Sequence, residues 1–439
     1  MAKYVSVQEA LDVVKSGDYI VTGLGAGEGR EFMTNLHTIA DRVTDVMVSN
    51  CLPMGNYEFI LNEAYKNSFR TEGWFYTPAL RKAHPHGNIA YIPNHLHLAA
   101  SKRLFYREPD IYVGIASVPD KHGYVSLSIS NAYEMQMIRK AKTVILEVNP
   151  NAPRTMGDVS LHIDEVDYLV KVDYPVPEIA DTVPNDKDHA IGRLIADMIH
   201  DGDCLQLGIG GIPNAVTEFL YEKKDLGVHT EMITTGMVKL AKAGVITNKC
   251  KQNHAGKMVA AFAMGTRELY DYIDDNPSIA LMNGNYVNDP AIIALNDNQV
   301  SINTTLEVDI TGQCCSESLG SRQFSGTGGQ ADTAIGAQKS RNGRSIIALY
   351  STAMVKNPET GEREEVSKIV CQLKSGAAVS LSRNDLDYLV TEYGAVSLRG
   401  TGLTERAKLI ISVAHPKFRE ALTREAMEIG ILPDRKSVV

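Results

Sequence analysis

Residues 202–216 read GDCLQLGIGGIPNAV. An apolar, strand-like run breaks into glycines and then passes into helix-forming residues. Free backbone N–H groups at a helix start, helped by the helix dipole, make such a turn a site for an anion. Glu231 follows within GVHTEMITTGMVKL. A strand over GVHTEMI that leads into TTG and a helix sets this carboxylate near the C-terminal end of a strand, where open α/β sheets bind ligands. The bland alternatives are a salt-bridged surface glutamate and a packed αβ corner. Glu231 stands about where a ribose-binding acid would follow a dinucleotide turn. The glycine series argues against that ligand. It runs Gly208, Gly210, Gly211, and Pro213 takes the place of the third glycine, which close helix–strand packing needs. Proline suits a first helical turn, so an anion site survives without the dinucleotide fingerprint. No Walker lysine pattern, H-E-x-x-H helix or G-x-S-x-G elbow occurs.

Three further stretches look unusual for scaffold. Residues 325–338, SGTGGQADTAIGAQ, form a second candidate anion loop before a helix. Residues 303–313 read NTTLEVDITGQ, and residues 391–406 read TEYGAVSLRGTGLTER. His84, His86, His95 and His97 fall in KAHPHGNIAYIPNHLHLA. These H-x-H pairs lack a nearby carboxylate or cysteine, so a structural or cleft-lining loop is favoured over a metal site, and no metal is assigned. In QKSRNGR, the side chains of Lys339, Arg341 and Arg344 either meet a coenzyme phosphate or make a solvated basic turn.

The elements that must position these residues are partly repeated. GDYIVTGLG at 17–25 echoes GDCLQLGIG at 202–210. An amphipathic helix precedes each copy (VQEALDVVKS and AIGRLIADMIHD), and a helix follows each (GREFMTNLHTIADRV and NAVTEFLYEKK). Further strands are read in VMVSNCLP, IYVGIASVP and TVILEVNP, then in KMVAAFAMG, SIALMNG and RSIIALYST. Many are apolar throughout, as in strands covered by helices on both faces. The expected fold is α/β, with two similar αβα layered domains at 1–180 and 187–439. The proline-bearing stretch DYPVPEIADTVPNDKD links them.

At 439 residues the chain is too long for one ordinary core, and 44% hydrophobic with 22% charged residues is a soluble globular composition. A net charge of −9 without a basic tract argues against nucleic acid. No apolar run reaches the roughly 20 residues of a membrane span. The first residues show no secretory h-region, and a cytoplasmic location is expected. The six cysteines form no C-x-x-C pair and read as free thiols.

The stretches LQLGIGGIPNAV, HTEMITTGM, NTTLEVDITGQ, SGTGGQAD, TEYGAVSLRG and AHPKFRE occur in one order through the second half. Together they resemble the class I coenzyme A transferases, in the branch of 4-hydroxybutyrate and butyryl-CoA:acetate CoA-transferases. That branch shares a family with acetyl-CoA hydrolases. VPDKHGYVSLSIS extends a weaker likeness into the first half.

The resemblance implies Glu231 as catalytic glutamate, with Gly210 and Gly211 offering backbone N–H groups to an oxyanion. It implies coenzyme contacts at Gln206, Leu207, Gly208, Ile209, Gly210, Leu306, Gly328 and Gly329. It further implies an active site in a cleft between the two domains, a homodimer or homotetramer, and no permanently bound cofactor. Acyl-CoA and a short carboxylic acid would be the substrates. The acid would be of the acetate, butyrate or 4-hydroxybutyrate type, or a small dicarboxylate such as itaconate or succinate. The chain carries Thr235 where the family usually has aspartate and Ile335 where it has arginine. The second change is expected to remove a positive charge near the site and shift acid preference. An acyl-CoA hydrolase is the alternative activity, a non-enzymatic CoA-ester sensor comes next, and a dehydrogenase is last.

Overall fold

The computed structural model describes residues 2–357 and 360–433. It contains two eight-stranded sheets. The first, in spatial order, runs Lys3–Val5, Tyr168–Lys171, Thr143–Val148, Ile111–Ala116, Tyr19–Thr22, Val46–Asn50, Phe69–Gly73, Ile89–Tyr91, and every pair is parallel. The second runs Ile279–Leu281, Met258–Ala263, Gly227–Ile233, Cys204–Leu207, Gln299–Thr304, Arg344–Ala348, Tyr388–Thr391, Gly394–Ser397. Its last pair alone is antiparallel. The α/β reading with two like halves holds. The wholly apolar runs are strands buried along their length, as in IYVGIA and MVAAFA, because helices cover both faces.

The sequence echo marks equivalent places in the two sheets. Tyr19–Thr22 and Cys204–Leu207 are each the central strand from which chain order proceeds outward in both directions, apart from the edge strand Lys3–Val5 of the first sheet. Their carboxyl ends are therefore the switch points at which α/β sheets take ligands.

The linker is laid down rather than slack. Ile179 N–H donates to the Gly265 carbonyl at 2.9 Å, and Tyr270 hydroxyl donates to the Pro177 carbonyl at 2.7 Å. One buried cluster continues from Leu146 and Tyr112 through Leu127 and Ile129 to Ala261 and Leu281, so apolar packing joins the halves. Among the described residues no helix is long and apolar enough to cross a membrane.

Candidate active site

A cleft of about 520 Å³ runs across the carboxyl ends of four neighbouring strands of the second sheet. Glu231 lines it, from the strand Gly227–Ile233. The next strand, Cys204–Leu207, gives Gln206 and Leu207 and continues into Gly208, Ile209, Gly210 and Gly211. The strand Gln299–Thr304 leads to Leu306, and the strand Arg344–Ala348 leads to Leu349 and Tyr350. The first half supplies the facing wall, including Leu24, Leu52, Trp74 and Phe75.

Glu231 is held by a glycine and an asparagine. Asn288 Nδ2 donates to its Oε2 at 2.9 Å, and the Gly329 N–H donates to the same carboxylate. A Cβ on Gly329 would stand 1.9 Å from Glu231 Oε2 and 2.2 Å from Asn288 Nδ2, so only glycine fits. Gly328 has φ +55°, the left-handed region that glycine adopts without cost. Burial in the cleft pushes the Glu231 carboxyl up to about 7, and the nearby Asp332 charge pushes the same way. The Asn288 and Gly329 donors oppose both.

Asp332 is itself buried and tied to the first half. It accepts from His97 Nδ1 at 2.7 Å and from the His97 N–H at 3.1 Å. That hydrogen bond holds the His97 ring above its usual protonation range. The loop ahead of Gly329 is pinned in the same direction. Tyr76 N–H donates to the Ser325 carbonyl at 3.2 Å, and Leu96 N–H donates to the Gly328 carbonyl at 3.2 Å.

Gly210 has φ +115° and opens the helix Gly211–Glu218, in which Pro213 is the third residue. No side chain caps this helix. The equivalent turn of the first half is closed by its own carboxylates. Glu147 accepts from Phe32 N–H at 2.7 Å and Glu31 N–H at 3.1 Å, at the start of the helix Arg30–Asn35. Glu134 accepts from Leu24 N–H at 2.8 Å. Of the two echoed turns, the second is the uncapped one, although the Asp188 carboxylate packs beside its Gly211.

A family model for the acetyl-CoA hydrolase/transferase N-terminal domain matches residues 1–180, and one for the C-terminal domain matches residues 265–426. The chain belongs to the acetyl-CoA hydrolase/transferase family. It is 41% identical over 427 residues to a 4-hydroxybutyrate coenzyme A transferase of Clostridium kluyveri, covering 96% of this chain and 97% of that one. It is also 41% identical over 428 residues to a succinyl-CoA:cyclohexane-1-carboxylate CoA transferase of Geobacter metallireducens, covering 98% and 96%. The crystal structure of RipA from Yersinia pestis superimposes with a TM-score of 0.89 at 36% identity, covering 98% of each chain. This acetyl-CoA hydrolase/transferase family member is thus an enzyme of the CoA-transferase class.

All ten positions picked out in the sequence line the one cleft. They are Gln206, Leu207, Gly208, Ile209, Gly210, Gly211, Glu231, Leu306, Gly328 and Gly329. The two departures from the family pattern lie outside the lining. Thr235 is buried at the start of the helix Thr235–Lys242, where its hydroxyl accepts from Thr266 N–H at 3.0 Å, outside the cleft lining. Ile335 lies half-buried in the helix Gln330–Lys339 and is not in the lining, although Gln330 is. Five residues advance a helix by about 500°, which turns position 335 away from the face that position 330 presents.

The 391–406 stretch is scaffold. It holds the strand end Thr391, the edge strand Gly394–Ser397 and Arg399, which pairs with Asp387 at 2.6 Å. The basic turn sits at the amino end of Arg344–Ala348, opposite the cleft, with Arg341 paired to Asp297 and Arg344 to Asp203. Among the described residues no cluster of three or more His, Cys, Asp and Glu side chains could hold a metal ion.

Sequence reasoning missed Asn288, Asp332 and the Trp74–Phe75 wall; His97 was singled out within a loop read as structural or cleft-lining, but not its bond to Asp332, while Asn94 and Leu96 of that loop do line the cleft. It also missed Leu52, which lines the cleft at φ +62°, a strained conformation for a bulky side chain. A sharper reading of SGTGGQAD would have paired the glycines with an acid three residues on; nothing local marks the others.

Proposed function

We propose that this enzyme moves coenzyme A between a short acyl-CoA and a carboxylate, with Glu231 as the covalent carrier. The observation that carries the reading is a carboxylate raised to about 7, seated against two glycines in a cleft lined by apolar side chains. A carboxylate of higher pKa is a stronger nucleophile once ionised, and a thioester is an activated acyl group. Glu231 attacks the acyl carbonyl and the C–S bond breaks, giving an acyl–glutamyl anhydride and CoA thiolate. The thiolate attacks the glutamyl carbonyl, forming a glutamyl–CoA thioester and releasing the free acid. A second carboxylate reverses both steps and leaves as the new acyl-CoA. The thioester bond is conserved, so neither ATP nor a metal enters the balance.

Each addition creates an oxyanion. Gly210 and Gly211 N–H groups at the uncapped helix start, and Gly329 beside Glu231, are the donors for it. One such donor lowers the barrier by about 3 kcal/mol. The apolar first-half wall suits short aliphatic acyl groups, of the butyryl or 4-hydroxybutyryl kind. The halves 1–180 and 187–439 then act as lid wall and catalytic floor of one site.

Intact-protein mass measurement tests this. Wild type and Glu231→Ala are incubated with butyryl-CoA, and separately with succinyl-CoA. A CoA-sized adduct on wild type alone, removed by acetate with formation of acetyl-CoA, is the expected outcome. Release of free CoA without an adduct and without need of acetate would replace transfer by hydrolysis.

A further inference from the structure

Lys368 lines the cleft but takes no part in the chemistry above. It is half-buried, just past the strand Arg363–Ser367, and its backbone N–H is fixed to the Ser351 carbonyl at 2.9 Å. Its ammonium makes no hydrogen bond and no ion pair among the described residues, and burial holds it down near 8. The carboxylates around it are engaged elsewhere. Glu392 pairs with Lys187 at 3.3 Å and accepts from Ser351. Glu307 has Lys374 at 4.0 Å. Asp188 accepts from Tyr350 hydroxyl at 2.6 Å and from Asn185 N–H at 2.9 Å. Lys368 Nζ sits 5.8 Å from the Tyr350 ring centroid, so the aromatic face orients it without neutralising it.

Its place in the sheet gives the distance to Glu231. Tyr350 and Lys368 stand at the end of Arg344–Ala348, three strands from Gly227–Ile233. Three strand spacings of about 4.8 Å make about 14 Å. From the thiol of coenzyme A to its first phosphorus there are about thirteen bonds, which at the reach of a fully extended covalent chain span about 15 Å. The two lengths agree. A pantetheine arm laid from Glu231 across the Gly208–Gly211 turn would therefore bring its first phosphorus to the level of Lys368.

We infer that Lys368 is the anchor for the diphosphate of the coenzyme, which it recognises as an anion at fixed distance from Glu231. The inference rests on the acyl-CoA reading of the cleft. It makes the enzyme select CoA thioesters over otherwise identical thioesters that lack phosphate.

The test compares butyryl-CoA with butyryl-pantetheine as donors to acetate. The ratio of their kcat/KM values is expected to fall tenfold to a hundredfold in Lys368→Gln, the range of one charge-assisted contact, and to recover in Lys368→Arg. A ratio within about twofold of wild type in Lys368→Gln overturns the inference, while transfer by wild type leaves the acyl-CoA reading intact. A second readout uses wild type alone. Reductive methylation followed by peptide mass measurement should show Lys368 protected by CoA and not by pantetheine. Equal labelling with both overturns the inference whether or not any thioester is turned over.

Discussion

Replacing Glu231 by Gln should stabilise the protein at high pH but not at low. Burial and Asp332 lift the carboxyl from 4.5 to about 7. Between those values the folded chain keeps a proton that the unfolded chain has released. Stability therefore falls as pH rises through this window, and the deficit is complete above the folded value. The full shift corresponds to about 3 kcal/mol, at about 1.36 kcal/mol per pH unit. Water entering the cleft screens the charge, which brings the cost to about 2 kcal/mol.

Glutamine has the same shape without the charge. Its amide oxygen can still accept from Asn288 and Gly329, but both bonds weaken without the charge, a cost of about 1 kcal/mol that does not vary with pH. The advantage of the variant should thus grow by about 2 kcal/mol between about pH 5 and about pH 8. In a unit of 150–250 residues that is a Tm difference of roughly 4–8 °C. Thermal unfolding by circular dichroism at the two pH values, at one ionic strength, reads it directly. Glu28, raised to about 8, and Glu147, raised to about 7, titrate in both proteins and cancel in the comparison. An equal gain at both pH values, or no change between them, would refute a buried, raised carboxylate at the cleft floor.

Gly329→Ala should leave the fold standing but cut kcat/KM by about a hundredfold or more, because its Cβ displaces the Glu231 carboxylate by about an ångström; steady-state kinetics with butyryl-CoA and acetate will show it. Asn288→Ala removes a donor that favours the ionised form, so the rising limb of the pH–kcat/KM profile should move above its wild-type midpoint near 7. Asp332→Asn removes the neighbouring negative charge, so the same limb should move to lower pH, opposite to Asn288→Ala. Shifts in the same direction would break the assignment. Glu147→Ala exposes the start of Arg30–Asn35 and leaves Tyr174 hydroxyl without its partner at 2.6 Å; the loss of a cap and a buried bond should lower stability by about 1–3 kcal/mol in urea unfolding.

What the sequence made legible was local. The Gly-Asp turn, the apolar run and the glycine break recur as a pattern within nine residues, and both copies became central strands. Glu231 was placed by the strand and helix flanking it. Asn288 escaped notice because it lies 57 residues on, at the C-terminus of a one-turn helix whose sequence has no catalytic look. Asp332 and His97 are 235 residues apart, and only the docking of the halves brings them together. Pattern also misleads where polar and glycine residues serve an edge hairpin, as TEYGAVSLRG does.

The two echoed turns show why motif alone does not assign function. Each has the strand, the glycines and the helix that together make an anion site. In the first half Glu147, 115 residues beyond Phe32, occupies the helix start, so the anion is already supplied by the chain. Burial pushes its carboxyl up to about 7, and the bonds from Tyr174, Phe32 and Glu31 oppose that rise by favouring the ionised form. In the second half no side chain caps the equivalent helix start: the Asp188 carboxylate packs beside Gly211 but accepts from Tyr350 hydroxyl and Asn185 N–H instead, and the turn lines the cleft together with Glu231. A repeat thus yields one structural corner and one reactive one. The difference lies in a single carboxylate that comes from the far end of the same half.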